Sequence, residues 1–364
     1  MRPVLRYARS SVRHGTTVPV GGNVKVHFVG SLGFPDAATV FRTVTEILGT
    51  RITRIPDGES GVRSGWVRWQ SEHLARNPLI ELVNVTEAIP GFIKADGVER
   101  RFFRILDPTK LLTFEELGYA REALASWAIF AALEAQGELS VSPRFQISLP
   151  TPTGLACAFF LPEDRASAEA AFEVVMLHEL AVIQAQIPLD RLSIQWDAVF
   201  EVVGEAIKGG LHYEPRFEGS VDRLVRLINA VDVAAEAGMH FCYGDAGGKH
   251  IVEPEDLDIV VRLINALNAQ AVRQLDFAHM PVPIARDDDA YFAPLAALDQ
   301  NAPTRIVLGL IHDGDGFEGT QHRMMIARHH FADFDIGTEC GFGRRDPATT
   351  EALLTLHRDL CDHA

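Results

Sequence analysis

Ala237-Gly238-Met239-His240-Phe241-Cys242-Tyr243 decides how this chain is read. The apolar run reads as a buried strand, and a His-x-Cys pair closes it. Residues i and i+2 of an extended strand project to the same side, so His240 and Cys242 can converge on one ion. A second strand end of this kind lies far downstream, where Phe334-Asp335-Ile336-Gly337 leads into Glu339-Cys340-Gly341. One imidazole and two thiolates form a zinc-type donor set. Three protein donors and an open fourth position would make such a site catalytic rather than structural. Cysteine and histidine are also common as ordinary buried residues, so the surrounding pattern has to decide.

Working outward, short β-branched runs alternate with longer amphipathic stretches. Strands are expected over residues 24–30, 51–55, 144–149, 192–196, 239–243, 272–277, 306–311 and 334–338. Helices are expected over 36–48, 61–75, 113–136, 166–186, 220–237, 255–268, 319–330 and 347–362. Thr113 and Ser220 have N-cap character, and Gly137 and Gly238 stand where helices should stop. This alternation predicts an α/β fold, a single (β/α)8 TIM barrel. Such a barrel takes about 250 residues. The 364 residues here leave room for an N-terminal arm at 1–22 and an insertion after the second strand at 77–110, with the barrel filling 23–364. That insertion would cover the barrel or meet a neighbouring subunit. No G-x-G-x-x-G follows the first strand, which argues against an open dinucleotide-binding sheet. Active sites of barrels form at the C-terminal strand ends, and the chemically notable residues gather there: Ser31, Glu59, Asp197, His240, Cys242, Asp276, His279, His312 and Cys340.

Composition narrows the function classes. Hydrophobic residues make up 47% and charged ones 23%, ordinary for a globular chain with a sizeable core. The net charge of −15 argues against a nucleic-acid surface and suits an acidic cytoplasmic enzyme. Cys157, Cys242, Cys340 and Cys361 are too widely spaced to read as a disulfide framework. No apolar run is long enough for a membrane span. The first 22 residues carry Arg2, Arg6, Arg9 and Arg13 and no acid. They lack the apolar segment of a secretory signal and read as a surface arm, with an organelle transit peptide as the alternative.

The strand-end motifs also resemble, in order and spacing, the C-terminal catalytic barrel of cobalamin-independent methionine synthase, in the superfamily that includes uroporphyrinogen decarboxylase. Val29-Gly30-Ser31-Leu32 is similar to the family's Ile-Gly-Ser-Phe, and Asp57-Gly58-Glu59-Ser60 to its His-Gly-Glu-Pro. Ile194-Gln195-Trp196-Asp197 stands where the family has Gln-Ile-Asp-Glu-Pro-Ala. His240-Phe241-Cys242-Tyr243 resembles its His-Met-Cys-Tyr, and Glu339-Cys340-Gly341-Phe342 its Asp-Cys-Gly-Leu. The resemblance implies zinc held by His240, Cys242 and Cys340, with Asp276 in the place of the family's Glu. It implies that Glu59 and Asp197 grip the ammonium of an amino-acid acceptor and that Ser31 fixes its carboxylate. Trp196 would add bulk beside that acceptor, Asp197 would serve the reaction directly, and His312 would be the general acid.

The departures shape the expected activity. Asp197 is followed by Ala198-Val199-Phe200, not Glu-Pro-Ala, and no tryptophan able to stack a folate ring follows Leu149-Pro150-Thr151-Pro152-Thr153. No second barrel is expected ahead of this one within these 364 residues. The expectation is a short, stand-alone relative: a zinc-dependent enzyme moving a methyl or alkyl group to a small thiol held as thiolate, not a folate-dependent methionine synthase. Its partners would be that thiol and an alkyl donor, without nucleic acid or membrane, and a homodimer is compatible. One alternative is a metal-free lyase or decarboxylase, with Arg54, Arg63, Arg68, Arg344 and Arg345 binding carboxylates. Another is a non-catalytic barrel that binds a thiol or metal.

Overall fold

In the computed structural model, residues 24–86, 100–244 and 249–364 are described, and the expected arm at 1–22 lies outside them. Eight parallel strands form the barrel: β1 (Val26–His27) and β2 (Arg54–Pro56) come first. An antiparallel hairpin of β3 (Ile80–Val85) and β4 (Arg100–Ile105) then stands outside the barrel sheet. The barrel resumes with β5 (Arg144–Pro150), β6 (Leu192–Ala198), β7 (Glu236–Phe241), β8 (Phe277–Pro281), β9 (Arg305–Ile311) and β10 (Asp335–Thr338). The strand order is β1-β10-β9-β8-β7-β6-β5-β2, and the Val26↔Ile52 bridge joins the two ends. The expected (β/α)8 TIM barrel is therefore present.

Helices wrap the outside. The first four are α1 (Ala37–Leu48), α2 (Gln70–Leu74), α3 (Tyr119–Ala135) and α4 (Pro152–Phe159). Then come α5 (Arg165–Gln186), α6 (Phe200–Ala206), α7 (Arg216–Ala230) and α8 (Asp258–Gln270). The last are α9 (Asp289–Phe292), α10 (Gly316–His330) and α11 (Pro347–Asp362). Asp36 caps α1 by accepting from Thr39 N at 2.7 Å, and Asp346 caps α11 in the same way. Thr113 is not the start of α3. The buried Glu179 carboxylate takes the amides of Gly118 at 2.9 Å and Ala120 at 2.8 Å, and so supplies that cap from a distant helix.

The insertion folds back on the barrel, with Phe103 bridging Phe160. Its tip, residues 87–99, lies outside the described residues.

The barrel interior is polar at its middle. His27 Nε2 lies 2.9 Å from Gln195 Oε1, although β1 and β6 are not neighbours, so this bond crosses the lumen. Gln195 donates to the Val29 carbonyl at 2.5 Å and to Asp197 Oδ1 at 3.0 Å, while Gln146 donates to the Phe28 carbonyl at 2.8 Å. Each partner satisfies a group that burial would otherwise penalise. Because strand residues alternate, Gln195 and Asp197 facing inward forces Trp196 outward, under the helices. Trp196 is fully buried in the hydrophobic core and borders neither of the cavities at the strand ends. The expected contact of Trp196 with substrate is thereby corrected.

Candidate active site

Cys242 follows β7 directly, so the strand's pleat sets its thiol on the side of His240. Cys340 lies two residues past β10, where its carbonyl accepts from the Thr338 hydroxyl at 2.8 Å. One donor atom from each of His240, Cys242 and Cys340 lies within 4.8 Å of the others. His240 and Cys242 are buried and Cys340 is partly covered. Soft sulfurs and an imidazole this close fit zinc, and among the described residues no fourth side chain joins the group.

Protons in this cluster are placed by hydrogen bonds. His279 Nε2 lies 3.0 Å from the Thr338 carbonyl, which can only accept, so that nitrogen carries the proton. His279 Nδ1 is then an acceptor, and His240 Nδ1 donates to it at 2.9 Å. The atom left on His240 with a free lone pair is Nε2, the form that ligates a metal. Burial and the neighbouring imidazoles His279 and His27 hold the His240 pKa well below the ordinary value, while burial brings His279 down to about 4. Both are therefore neutral at pH 7. Cys242 has its thiol pushed up, first by its hydrogen bond with Cys340 and then by burial.

Asp276, the expected fourth ligand, is elsewhere. The strand expected at 272–277 is displaced along the chain: β8 starts at Phe277, and Asp276 sits at its N-terminal edge. There Asp276 accepts from Ala237 N at 2.8 Å and pairs with Arg273 at 2.6 Å. Register sets His279, not Asp276, opposite His240. The barrel's depth separates Asp276 from the cysteines.

Two cavities open beside the cysteines. One, of about 600 Å³, is bordered by Ser31, Glu59, Asp197 and His240, with apolar walls that include Phe102, Phe159, Val199 and Phe200. Glu59 approaches the β1 end because residue 30 has no side chain: a Cβ on Gly30 would stand 3.0 Å from Glu59 Oε1. Burial and the nearby Asp57 raise the Glu59 carboxyl well above its usual range against the pull of Arg63, and Asp197 adds to the rise. Arg63 itself is bonded to Asp57 at 2.6 Å. Burial raises Asp197 to about 7, with hydrogen bonds from Gln195 and Trp66 opposing. Trp66 donates its indole N–H to Asp197 Oδ2 at 3.2 Å. Its φ of 56° is costly for a bulky residue, and this side chain, which no sequence pattern singled out, takes the place at the site that had been expected of Trp196.

The other cavity, of about 820 Å³, is bordered by Tyr243, His250, Pro281, His312 and Glu339. His312 Nε2 faces the Val282 carbonyl at 2.8 Å and so carries a proton, which leaves Nδ1 as the acceptor of the neutral ring. Burial lowers the His312 pKa. To act as general acid through Nδ1, His312 must first be protonated. The two cavities share Cys242, Cys340, Gly341 and Arg344. They meet at the thiols.

This geometry can be set beside known proteins. No protein-family profile matches the sequence. No curated protein matches it either. Solved structures do match. A B12-independent methionine synthase from Shewanella sp. W3-18-1, in complex with selenomethionine, superposes at a TM-score of 0.62 with 13% identity, covering 94% of this chain and 98% of that one.

The chain has the fold of the B12-independent methionine synthases.

Two further structures share this methionine-synthase fold. A Listeria monocytogenes protein described as a putative vitamin-B12-independent methionine synthase gives a TM-score of 0.50 at 14% identity, covering 93% of this chain and 98% of that one. A methyltransferase from Methanosarcina mazei gives 0.50 at 11% identity, covering 94% of each chain. No helix among the described residues of this methionine-synthase-like barrel is long and apolar enough to cross a membrane.

Proposed function

We propose that this protein is a zinc-dependent transferase that moves a methyl or other small alkyl group to the sulfur of a small thiol. The observation that carries the reading is the meeting of the two cavities at Cys242 and Cys340. A transfer between two substrates needs both at one point, and here the point of contact is also the zinc-type donor set. The shared fold with methionine synthases and a methyltransferase supports the same class of reaction.

Zinc held by His240, Cys242 and Cys340 would lower the pKa of the acceptor thiol and keep its sulfur nucleophilic. The remaining work falls to the chain. Glu59 and Asp197 offer carboxylates to a cationic group on the acceptor, and Ser31 offers a hydroxyl beside them. The apolar walls would limit water around the sulfur and the alkyl carbon. His312, across the cysteines, is the candidate proton donor to the group the sulfur displaces.

Elemental analysis of untagged protein, alongside Cys242→Ser, tests the reading. About one zinc per chain, lost in the variant, supports it and directs a screen of small thiols against methyl and alkyl donors. A folded protein that takes up no zinc would overturn it and leave a metal-free lyase on the same barrel as the better account.

A further inference from the structure

The net charge of −15 gives this molecule a field that repels anions. Against that field, Arg68, Arg100, Arg101 and Arg344 all border the 600 Å³ cavity. Arg68, Arg101 and Arg344 are exposed, whereas Asp197, His240 and Cys242 are buried, so the arginines form the rim and the reactive groups the floor. Several arginines elsewhere on this surface are paired with acids, as Arg42 is with Glu138, Arg51 with Asp362 and Arg226 with Glu173, although among the described residues Arg76 and Arg328 are not. Among the described residues, Arg68 and Arg101 have no carboxylate within ion-pair distance. Two guanidinium groups held over an apolar cavity, with no acid partner among the described residues, are suited to binding an anion.

We propose that this cavity takes a ligand with an apolar body and an anionic end group, which Arg68 and Arg101 hold at the rim. The proposal rests on the cavity being a substrate site, as the transferase reading has it. Glu59 and Asp197 on the floor disfavour an anion there, so the ligand lies with its charged end outward and its other end at the cysteines. Phe102, Phe159, Val199 and Phe200 enclose the segment between. Guanidinium forks accept a carboxylate, a sulfonate or a phosphate, and the rim by its chemistry admits all three.

Titration calorimetry on the full chain, with and without added zinc, distinguishes these end groups. The probes are phenylbutyrate, phenylbutanesulfonate and phenylbutyl phosphate, with phenylbutanol as the uncharged control. At low salt at least one anion should bind about tenfold more tightly than the alcohol. Its preference should shrink at about 0.5 M salt. R68A/R101A should lose the preference while binding the alcohol as before, and R68K/R101K should keep most of it. The tightest anion names the end group. Equal binding of alcohol and anions, or a preference that survives in R68A/R101A, overturns the proposal. Zinc content of the same samples keeps the two readings apart. Anion preference in a protein that takes up no zinc leaves this inference standing and sinks the transferase, whereas zinc without anion preference does the reverse.

Discussion

His240 and His279 face each other across β7 and β8 with their Nδ1 atoms 2.9 Å apart, at the register step where their Cα atoms pair. Through Thr338, which bonds the far side of His279, this contact fixes the tautomer of His240. Partners of this kind typically contribute about 10- to 100-fold to metal affinity. His279→Phe should therefore lower zinc affinity by about that factor while the barrel stays folded. Chelator competition monitored with circular dichroism measures both. Unchanged affinity in a folded variant would remove His279 from the site.

Much of this was legible in the sequence. Periodicity set the strand–helix count, and the His-x-Cys strand end drew attention to the end of the barrel where the two cavities open. Asp276 was misassigned because the strand was expected over 272–277 and Asp276, near its end, was matched to the family's Glu, while β8 begins at Phe277. His279 was noted among the strand-end residues, but its bond to His240 was not foreseen. Trp196 was misassigned for a different reason: side-chain direction follows from pleat phase, which only the inward position of Gln195 reveals. Trp66 had no signal at all, because it comes from an irregular 3₁₀ segment with a positive φ. The short helices α4 and α6 were missed because their residues are buried nearly all round, which erases the amphipathic period.

Removing one donor should release the metal. Cys340→Ser and Cys242→Ser should each lose zinc while leaving the fold intact, since among the described residues nothing replaces the missing sulfur. Metal analysis after gel filtration reads the result. Retention of stoichiometric zinc by both variants would place the ion elsewhere.

Asp197 and Glu59 make a charge-specific prediction. Asp197→Asn should weaken binding of cysteamine, a cationic thiol, about tenfold or more, with little effect on mercaptoethanol, its uncharged counterpart. Calorimetric titration of both thiols checks it. An equal loss for the two would point to a general disturbance of the cavity.

Stability should depend on pH through Glu201, which is fully buried. Burial raises its carboxyl from 4.5 to about 7, with its own amide and the Thr151 hydroxyl opposing. Between those values the folded chain holds a proton that the unfolded chain releases. The favourable contribution is complete below about 4.5 and is lost as pH rises to 7, a change of about 3 kcal/mol. Glu201→Gln should flatten that dependence and raise Tm at pH 8. Parallel pH–Tm curves for the two proteins would contradict it.

Packing at the bottom of the barrel gives a test of fold. A Cβ on Gly238 would lie 2.0 Å from Phe277 Cζ, and the Arg54 guanidinium stacks on that same ring at 4.0 Å. Gly238→Ala should cost about 1–3 kcal/mol or more, read as a lowered Tm. A variant as stable as the parent would mean that the ring can move aside.

The meeting of two separate cavities at one pair of sulfurs also bears on stereochemistry. Under the proposed transfer, donor and acceptor would be resident together, and the chain would have no need to store the alkyl group on one of its own cysteines between substrates. Initial-rate plots should then intersect rather than run parallel. A donor carbon made chiral by isotopes should leave with its configuration inverted once, the signature of a single in-line displacement.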